Sequence, residues 1–188
     1  MTAEALKLVE EPKLLKLDLG CGKNSMPGFW GVDIRHFDGV KFVCDLSEPW
    51  TLWADDSVDE VFSSHFLEHL KPAGRINFAN ELFRVLKPGG KAALVTPHWA
   101  ASRAYGDLTH EWPPVSEWWF LYLQKDWREA NAPHNDFYTC DFDVVTGSGM
   151  APHLLSRNDE YRSYAMQNYK EAIFDLHVTL FPRKGVKK

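Results

Sequence analysis

LLKLDLGCG, residues 14–22, is an apolar run that ends in an acid and two glycines. Leu14, Leu15, Leu17 and Leu19 suit a strand buried in a sheet, with Asp18 two residues before Gly20. Gly20 and Gly22 allow a tight turn and leave room for a ligand to lie against main-chain N–H groups, as nucleotide-like cofactors do. A strand followed by glycines is also a common structural turn, so what comes next decides between the two.

Downstream, KNSMPGFWG (23–31) reads as loop and Val32-Asp33-Ile34 as a second strand. Nine residues separate Gly22 from Val32, too few for the long helix that usually joins parallel strands. VKFVCD (40–45) is a third strand ending in an acid, LSEPWTLWADD (46–56) a loop, and VDEVFSS (58–64) a fourth strand. His65 to Leu70 starts a helix that Pro72 interrupts. A longer helix over 73–86 follows, with Ile76, Ala79, Leu82, Phe83 and Leu86 on one face. Lys87-Pro88-Gly89-Gly90 stops it before a fifth strand, KAALVT (91–96). Strands alternating with loops and helices predict an α/β fold with a mostly parallel sheet. Beyond Pro97 the spacing predicts a helix over 116–127 capped by Ser116, a half-exposed strand over 141–145, a helix over 158–170 and a last strand over 173–181.

The chain has 188 residues, enough for one domain with a sizeable core, and its 45% hydrophobic and 25% charged content is ordinary for a globular protein. No apolar run reaches the ~20 residues of a membrane span, and the acidic N-terminal stretch lacks a signal-peptide core. Cys21, Cys44 and Cys140 are odd in number and widely spaced, so a reduced, cytoplasmic protein is expected. The net charge of −5 argues against broad nucleic-acid binding. Arg183, Lys184, Lys187 and Lys188 read as a solvated basic tail. The oddity is aromatic: of eight tryptophans, five (Trp99, Trp112, Trp118, Trp119 and Trp127) fall close together after the fifth strand.

Ligands of open α/β sheets bind beyond the carboxyl ends of the strands. Those ends carry Asp18 with Gly20 and Gly22, then Asp33, Asp45, Ser64 with His65, and Thr96 with His98. An acid closing the second strand can accept from two ribose hydroxyls, and one closing the third from an adenine amino group.

LDLGCGKN (17–24), VDI (32–34), CDL (44–46), VDEVFSSHFLEHL (58–70) and RVLKPGGKAALVTP (84–97), in this order, resemble the class I S-adenosylmethionine-dependent methyltransferases, in particular the type 11-like members. The resemblance spans roughly residues 14–98 and implies a Rossmann-like, mostly parallel sheet with an antiparallel C-terminal strand and a shortened first helix. One domain over 1–188 would comprise a cofactor-binding core (14–98), an acceptor-side insertion or lid (97–139) and a C-terminal part completing the sheet (140–188). The resemblance implies S-adenosylmethionine as cofactor. Gly20, Cys21 and Gly22 would face its methionine part, Asp33 its ribose and Asp45 with Leu46 its adenine, while Ser64 and His65 would lie near the sulfonium. Asp18, Asn24 and Ile34 belong to the same motifs. Asn24 stands where the family has a third glycine, and the missing helix removes a pyrophosphate site. The missing helix disfavours NAD more than a donor without phosphate.

The acceptor-side stretch offers His98, Tyr105, Asp107 and His110 for acid/base or orienting roles, or as a hydrogen-bonded lid. Trp99, Trp112, Trp118 and Trp119 could form an aromatic wall for a flat small-molecule or nucleotide acceptor, or simply pack. His65-Phe66-Leu67-Glu68-His69 matches the HxxEH zinc-peptidase pattern, but Pro72 cuts the helix that would align its two histidines, and no metal is expected. A nucleic-acid base methyltransferase lacks its motif here, since SSHF replaces the Pro-Pro-aromatic sequence after the fourth strand. The remaining alternative is a non-catalytic methyltransferase-like subunit, although Gly20, Gly22 and Asp33 are all retained. Neither the acceptor nor the oligomeric state is readable.

Overall fold

A computed structural model describes residues 14–185, so the acidic stretch 1–13 and the last lysines, Lys187 and Lys188, lie outside the described residues. The strands are β1 (Lys16–Leu19), β2 (Trp30–Asp33), β3 (Val40–Val43), β4 (Val58–Ser64), β5 (Leu86–Pro97), β6 (Phe142–Met150) and β7 (Ile173–Pro182). They form one sheet in the order β3-β2-β1-β4-β5-β7-β6. The first five pair in parallel, and β7 runs antiparallel to both β5 and β6. Leu17, Asp18 and Leu19 are buried in succession, so both faces of β1 are covered and it is an interior strand between β2 and β4.

No helix joins β1 to β2. The turn between them is held by side chains instead: Asp18 Oδ2 accepts from Met26 N at 2.7 Å, and Ser25 Oγ donates to Phe29 O at 3.2 Å. The loop after β3 does a helix's work on one face. Trp50 is 1% exposed, donates Nε1 to Leu46 O, and meets Trp53 and Phe78 edge-on at 5.9 and 5.5 Å. Arg84 fastens that loop by donating to Trp50 O, Trp53 O, Asp55 and Glu81.

The HFLEHL stretch makes only a short 3-10 turn, Leu67–His69, before α1 (Pro72–Val85). Pro72 opens α1 because the first turn needs no N–H from it. The helix buries Phe78, Ala79, Leu82 and Val85 against the sheet. Its end differs from expectation: β5 begins at Leu86, and Lys87–Gly90 form an irregularity within that strand rather than a linker before it.

After β5 come three short helices, α2 (Arg103–Gly106), α3 (Glu117–Leu121) and α4 (Lys125–Asn131). The single helix expected over 116–127 is broken because Asp141 Oδ1 accepts from Lys125 N at 2.9 Å, and Leu123 O accepts from Phe142 N at 3.0 Å. Ser116 precedes α3 without a side-chain cap, whereas Asn158 does cap α5 (Asp159–Asn168) through Tyr161 N. The basic tail is not free at its start. Lys184 Nζ donates to Asp56 Oδ1, Arg84 O and Leu86 O, and Arg183 pairs with Asp126 and Asp141. Among the described residues no helix is long and apolar enough to cross a membrane.

Candidate functional site

A cleft of about 1200 Å3 opens at the carboxyl ends of the parallel strands. Gly20 and Gly22, Asp33 and Ile34, Asp45 and Leu46, and His65 all line it, brought there from the ends of β1, β2, β3 and β4. Asp18, Cys21, Asn24 and Ser64, from the same motifs, are not among the lining residues. Asp18 is 4% exposed and serves the turn through Met26, while burial raises the pKa of its carboxyl. Cys21 has its thiol pushed up to about 11, first by burial and then by Asp18 and Asp33.

The glycine turn works differently from the simplest expectation. Gly20 N and Cys21 N both donate to Val32 O, at 2.8 and 3.1 Å, and Gly22 N donates to Asp33 Oδ2 at 2.9 Å. These N–H groups are spent inside the protein and present no cradle for a phosphate. Gly20 is required for another reason. At φ +70° a side-chain carbon there would sit 2.3 Å from the Phe66 ring. Asp33 is itself held in place, since Arg35 N donates to its second oxygen at 2.9 Å. Asp45 accepts from Ser47 N and Oγ at 2.9 and 2.7 Å through Oδ1.

His65 occupies the left-handed region, φ +53°, an uncommon place for a non-glycine residue. Its Nδ1 lies 3.3 Å from Glu68 Oε1, and that carboxylate is the main influence raising the pKa of the imidazole. His65 and His69 also line a second, polar recess of about 720 Å3, which therefore adjoins the cleft. Asp107 and His110 line this recess. Asp107 accepts from Thr109 N and Oγ1, both at 2.8 Å, and the backbone bond is the first cause holding its carboxyl below the ordinary value.

His98 and Tyr105 lie elsewhere. They line an apolar cavity of about 940 Å3 together with Trp99, Trp112 and Trp118. The turn α2 stands between the two spaces, giving Arg103 to the recess and Tyr105 to the cavity. His98 is buried with both ring nitrogens engaged: Nδ1 accepts from Ala100 N at 3.2 Å, so Nε2 carries the hydrogen bonded to Glu117 Oε1 at 2.9 Å. That bond is the leading reason the Glu117 carboxyl falls below its ordinary value. Trp119 leaves the wall and packs inward, donating Nε1 to Tyr138 Oη at 3.0 Å. The four polar candidates thus divide into two pairs, one beside the cleft and one under the aromatic residues.

Residues 17–94 match the family model described as a methyltransferase domain. The sheet order and strand directions are those of the class I methyltransferase fold. No curated relative matches the chain. Among solved structures, an S-adenosylmethionine-dependent methyltransferase from Archaeoglobus fulgidus is similar at 19% identity and TM-score 0.61, over 89% of this chain and 85% of that one. A structure described as a putative methyltransferase of the same kind from Listeria monocytogenes is similar at 12% identity and TM-score 0.54, over 92% of each chain. The 1,6-didemethyltoxoflavin-N1-methyltransferase of Burkholderia thailandensis, solved with S-adenosylhomocysteine, is similar at 14% and TM-score 0.53, over 90% and 71% of the two chains. At these identities the likeness concerns the fold.

Two further residues escaped sequence reasoning as site builders. Glu68 is 3% exposed and accepts from Thr96 Oγ1 at 3.2 Å, although its letters entered only through the zinc pattern and the 58–70 motif, with no role assigned. Arg75, also buried, donates to Leu67 O and Glu68 O on one side and to Glu111 O and Pro113 O on the other. It clamps the 3-10 turn to the loop after His110. Nothing in its helical spacing marks it, since the four acceptors are main-chain carbonyls.

Proposed function

We propose that this chain is an S-adenosylmethionine-dependent methyltransferase acting on a small-molecule or nucleotide acceptor. The observation that carries this is the cleft that gathers Asp33, Asp45, Leu46 and His65 at the strand ends while the glycine turn spends its N–H groups internally. Such a cleft suits a nucleoside with a sulfonium tail, and its glycine turn offers none of these three N–H groups to a pyrophosphate. Asp33 would take the ribose hydroxyls with the lone pairs that Gly22 and Arg35 leave. Leu46, which is buried, and Asp45 would bracket the adenine. His65 and Ser64 would lie on the methionine side.

The cofactor, when bound, supplies a methyl group on a positively charged sulfur. The protein's part is then to align an acceptor lone pair behind that methyl carbon, and positioning of this kind is worth up to ~7–11 kcal/mol. The polar recess adjoins the cleft at His65 and His69, and there it would receive the acceptor beside the reacting end. Asp107 and His110 stand there to orient the acceptor or take its proton where one must leave. His98 and Tyr105 would instead shape the aromatic cavity, which fits a flat, apolar part of an acceptor.

Thermal unfolding with each ligand tests the cofactor. At 100 times its dissociation constant, a ligand of the folded state alone adds about 2.7 kcal/mol. S-adenosylmethionine and S-adenosylhomocysteine are expected to raise the melting temperature and NAD to leave it unchanged. A rise with NAD alone would overturn the proposal.

A further inference from the structure

We propose that Glu68, His69 and His110 form a binding site for one divalent first-row transition cation, Zn2+ foremost, at the junction of the cleft and the polar recess. Each of the three offers a ligand atom, and these atoms lie within 4.8 Å of one another. Two imidazoles and a carboxylate form a donor set suited to such ions, with positions left open on the metal.

Three further observations point to a cation. Glu68 Oε1 is buried with no hydrogen-bond partner, while the other oxygen of the same carboxylate accepts from Thr96 Oγ1. His65 Nδ1 stands 3.3 Å from Oε1 but outside hydrogen-bond geometry, so it does not satisfy this oxygen. A buried carboxylate oxygen with no hydrogen bond is costly, and a metal ion bound to it removes that cost.

The two histidines are oriented as metal ligands usually are. His69 Nδ1 lies 3.2 Å from Thr109 O, and His110 Nδ1 lies 3.1 Å from Ala104 O. A main-chain carbonyl can only accept, so each Nδ1 carries the hydrogen and each Nε2 is left with a lone pair. The rings meet edge to face with centroids 4.7 Å apart. Arg75 ties the segments bearing them together through Glu68 O and Glu111 O, at 3.2 and 2.9 Å.

The charge around the site is mixed and balanced toward acid. Asp107 lines the recess with Glu68 and Glu111 bonds to the Glu68 backbone, while Arg103 is already paired with Asp175 at 2.8 Å and the Arg75 guanidinium is spent on carbonyls. Ligand atoms around Zn2+ at ~2.1 Å sit about 3.4 Å apart in a tetrahedron. Binding would therefore draw the three side chains inward, of which His69 is exposed and His110 half-buried.

The HxxEH letters mislead about which residues would do this. His65, the first histidine of the pattern, is not in the cluster, and its place is taken by His110 from a distant loop. The role of the ion, though not its site, rests on the proposed function. An oxygen of the acceptor would fill an open position, lose its proton to solvent more readily, and attack the methyl carbon as the carbon–sulfur bond breaks.

The test is direct and needs no cofactor. Chelator-treated protein is titrated with Zn2+ and, separately, Co2+, and read by calorimetry and by the visible ligand-field bands of bound Co2+. One equivalent is expected, tightly enough to survive gel filtration. His69→Ala and His110→Ala should each weaken binding at least tenfold and change the Co2+ spectrum, with circular dichroism unchanged. Glu68→Gln should do the same, and His153→Ala, at an exposed histidine elsewhere, should not. Absence of binding, or binding indifferent to both His69→Ala and His110→Ala, would overturn the site. Metal binding by a protein that fails to bind S-adenosylmethionine would keep the site and remove the role.

Discussion

Replacing each glycine of the turn by alanine separates two costs that the sequence motif lumps together. Gly20 and Gly22 both have positive φ, +70° and +57°, so either alanine incurs the left-handed penalty of ~1–2 kcal/mol. Only at position 20 is the space filled. A methyl carbon there would lie 2.3 Å from the Phe66 ring and 2.6 Å from Phe66 Cβ, whereas nothing lies within 4 Å at position 22. Because Phe66 Cβ moves only with its backbone, rotation of the ring cannot relieve the clash. Overpacking of this kind adds ~1–3 kcal/mol. Gly20→Ala should therefore cost ~2–5 kcal/mol and Gly22→Ala ~1–2 kcal/mol. With a urea slope of about 2 kcal/mol/M, the midpoints should fall by roughly 1–2.5 M and 0.5–1 M. Equal shifts for the two variants would refute the assignment of Gly20 to close packing with Phe66.

Further outcomes follow from individual contacts. Arg75→Met removes four hydrogen bonds, but Leu67 O and Glu68 O keep backbone partners in Leu70 N and Glu111 N. At about 0.5–1.5 kcal/mol each, offset by the relief of a buried charge, the loss should be ~2–4 kcal/mol in urea unfolding; a loss below ~1 kcal/mol would contradict the clamp. Thiol labelling with Ellman's reagent at pH 8 should be slow on the folded protein, because burial pushes Cys140 up to about 12 and Cys21 up to about 11 and also raises Cys44. Rapid labelling of all three without denaturant would contradict that burial. Glu117 has its folded pKa held below 4.5, so the stability it contributes is present above that value and is lost as pH falls through the lower folded value. The stability gap between wild type and Glu117→Gln should therefore close between neutral pH and acid; a gap that widens in acid would reverse the sign.

Much of the sheet was legible because its strands are short apolar runs closed by glycines, prolines or acids. β4 was delimited to the residue, and α1 to within one at each end. The strand-end rule also put Asp33, Asp45 and His65 at the cleft, since their place depends only on where a parallel strand stops. Long-range main-chain bonds were not legible. The break between α3 and α4 depends on Asp141, and the burial of Lys184 depends on carbonyls at Arg84 and Leu86. Local periodicity carries no trace of either. The division of His98 and Tyr105 from Asp107 and His110 was hidden for the same reason. It turns on one short helix, α2, whose successive residues face different cavities.

The central claim, a nucleoside-sulfonium site organised by Asp33, is tested most directly by calorimetric titration of S-adenosylmethionine into wild type, Asp33→Asn and Asp33→Ala, with NAD as control. Asp33→Asn keeps an acceptor for the backbone N–H groups of Gly22 or Arg35, so a fold defect and a ligand defect can be told apart. Micromolar binding to wild type is predicted, weakened by ~1–3 kcal/mol in both variants, with no heat from NAD. Absence of binding to wild type, or equal affinity in all three proteins, would contradict the claim.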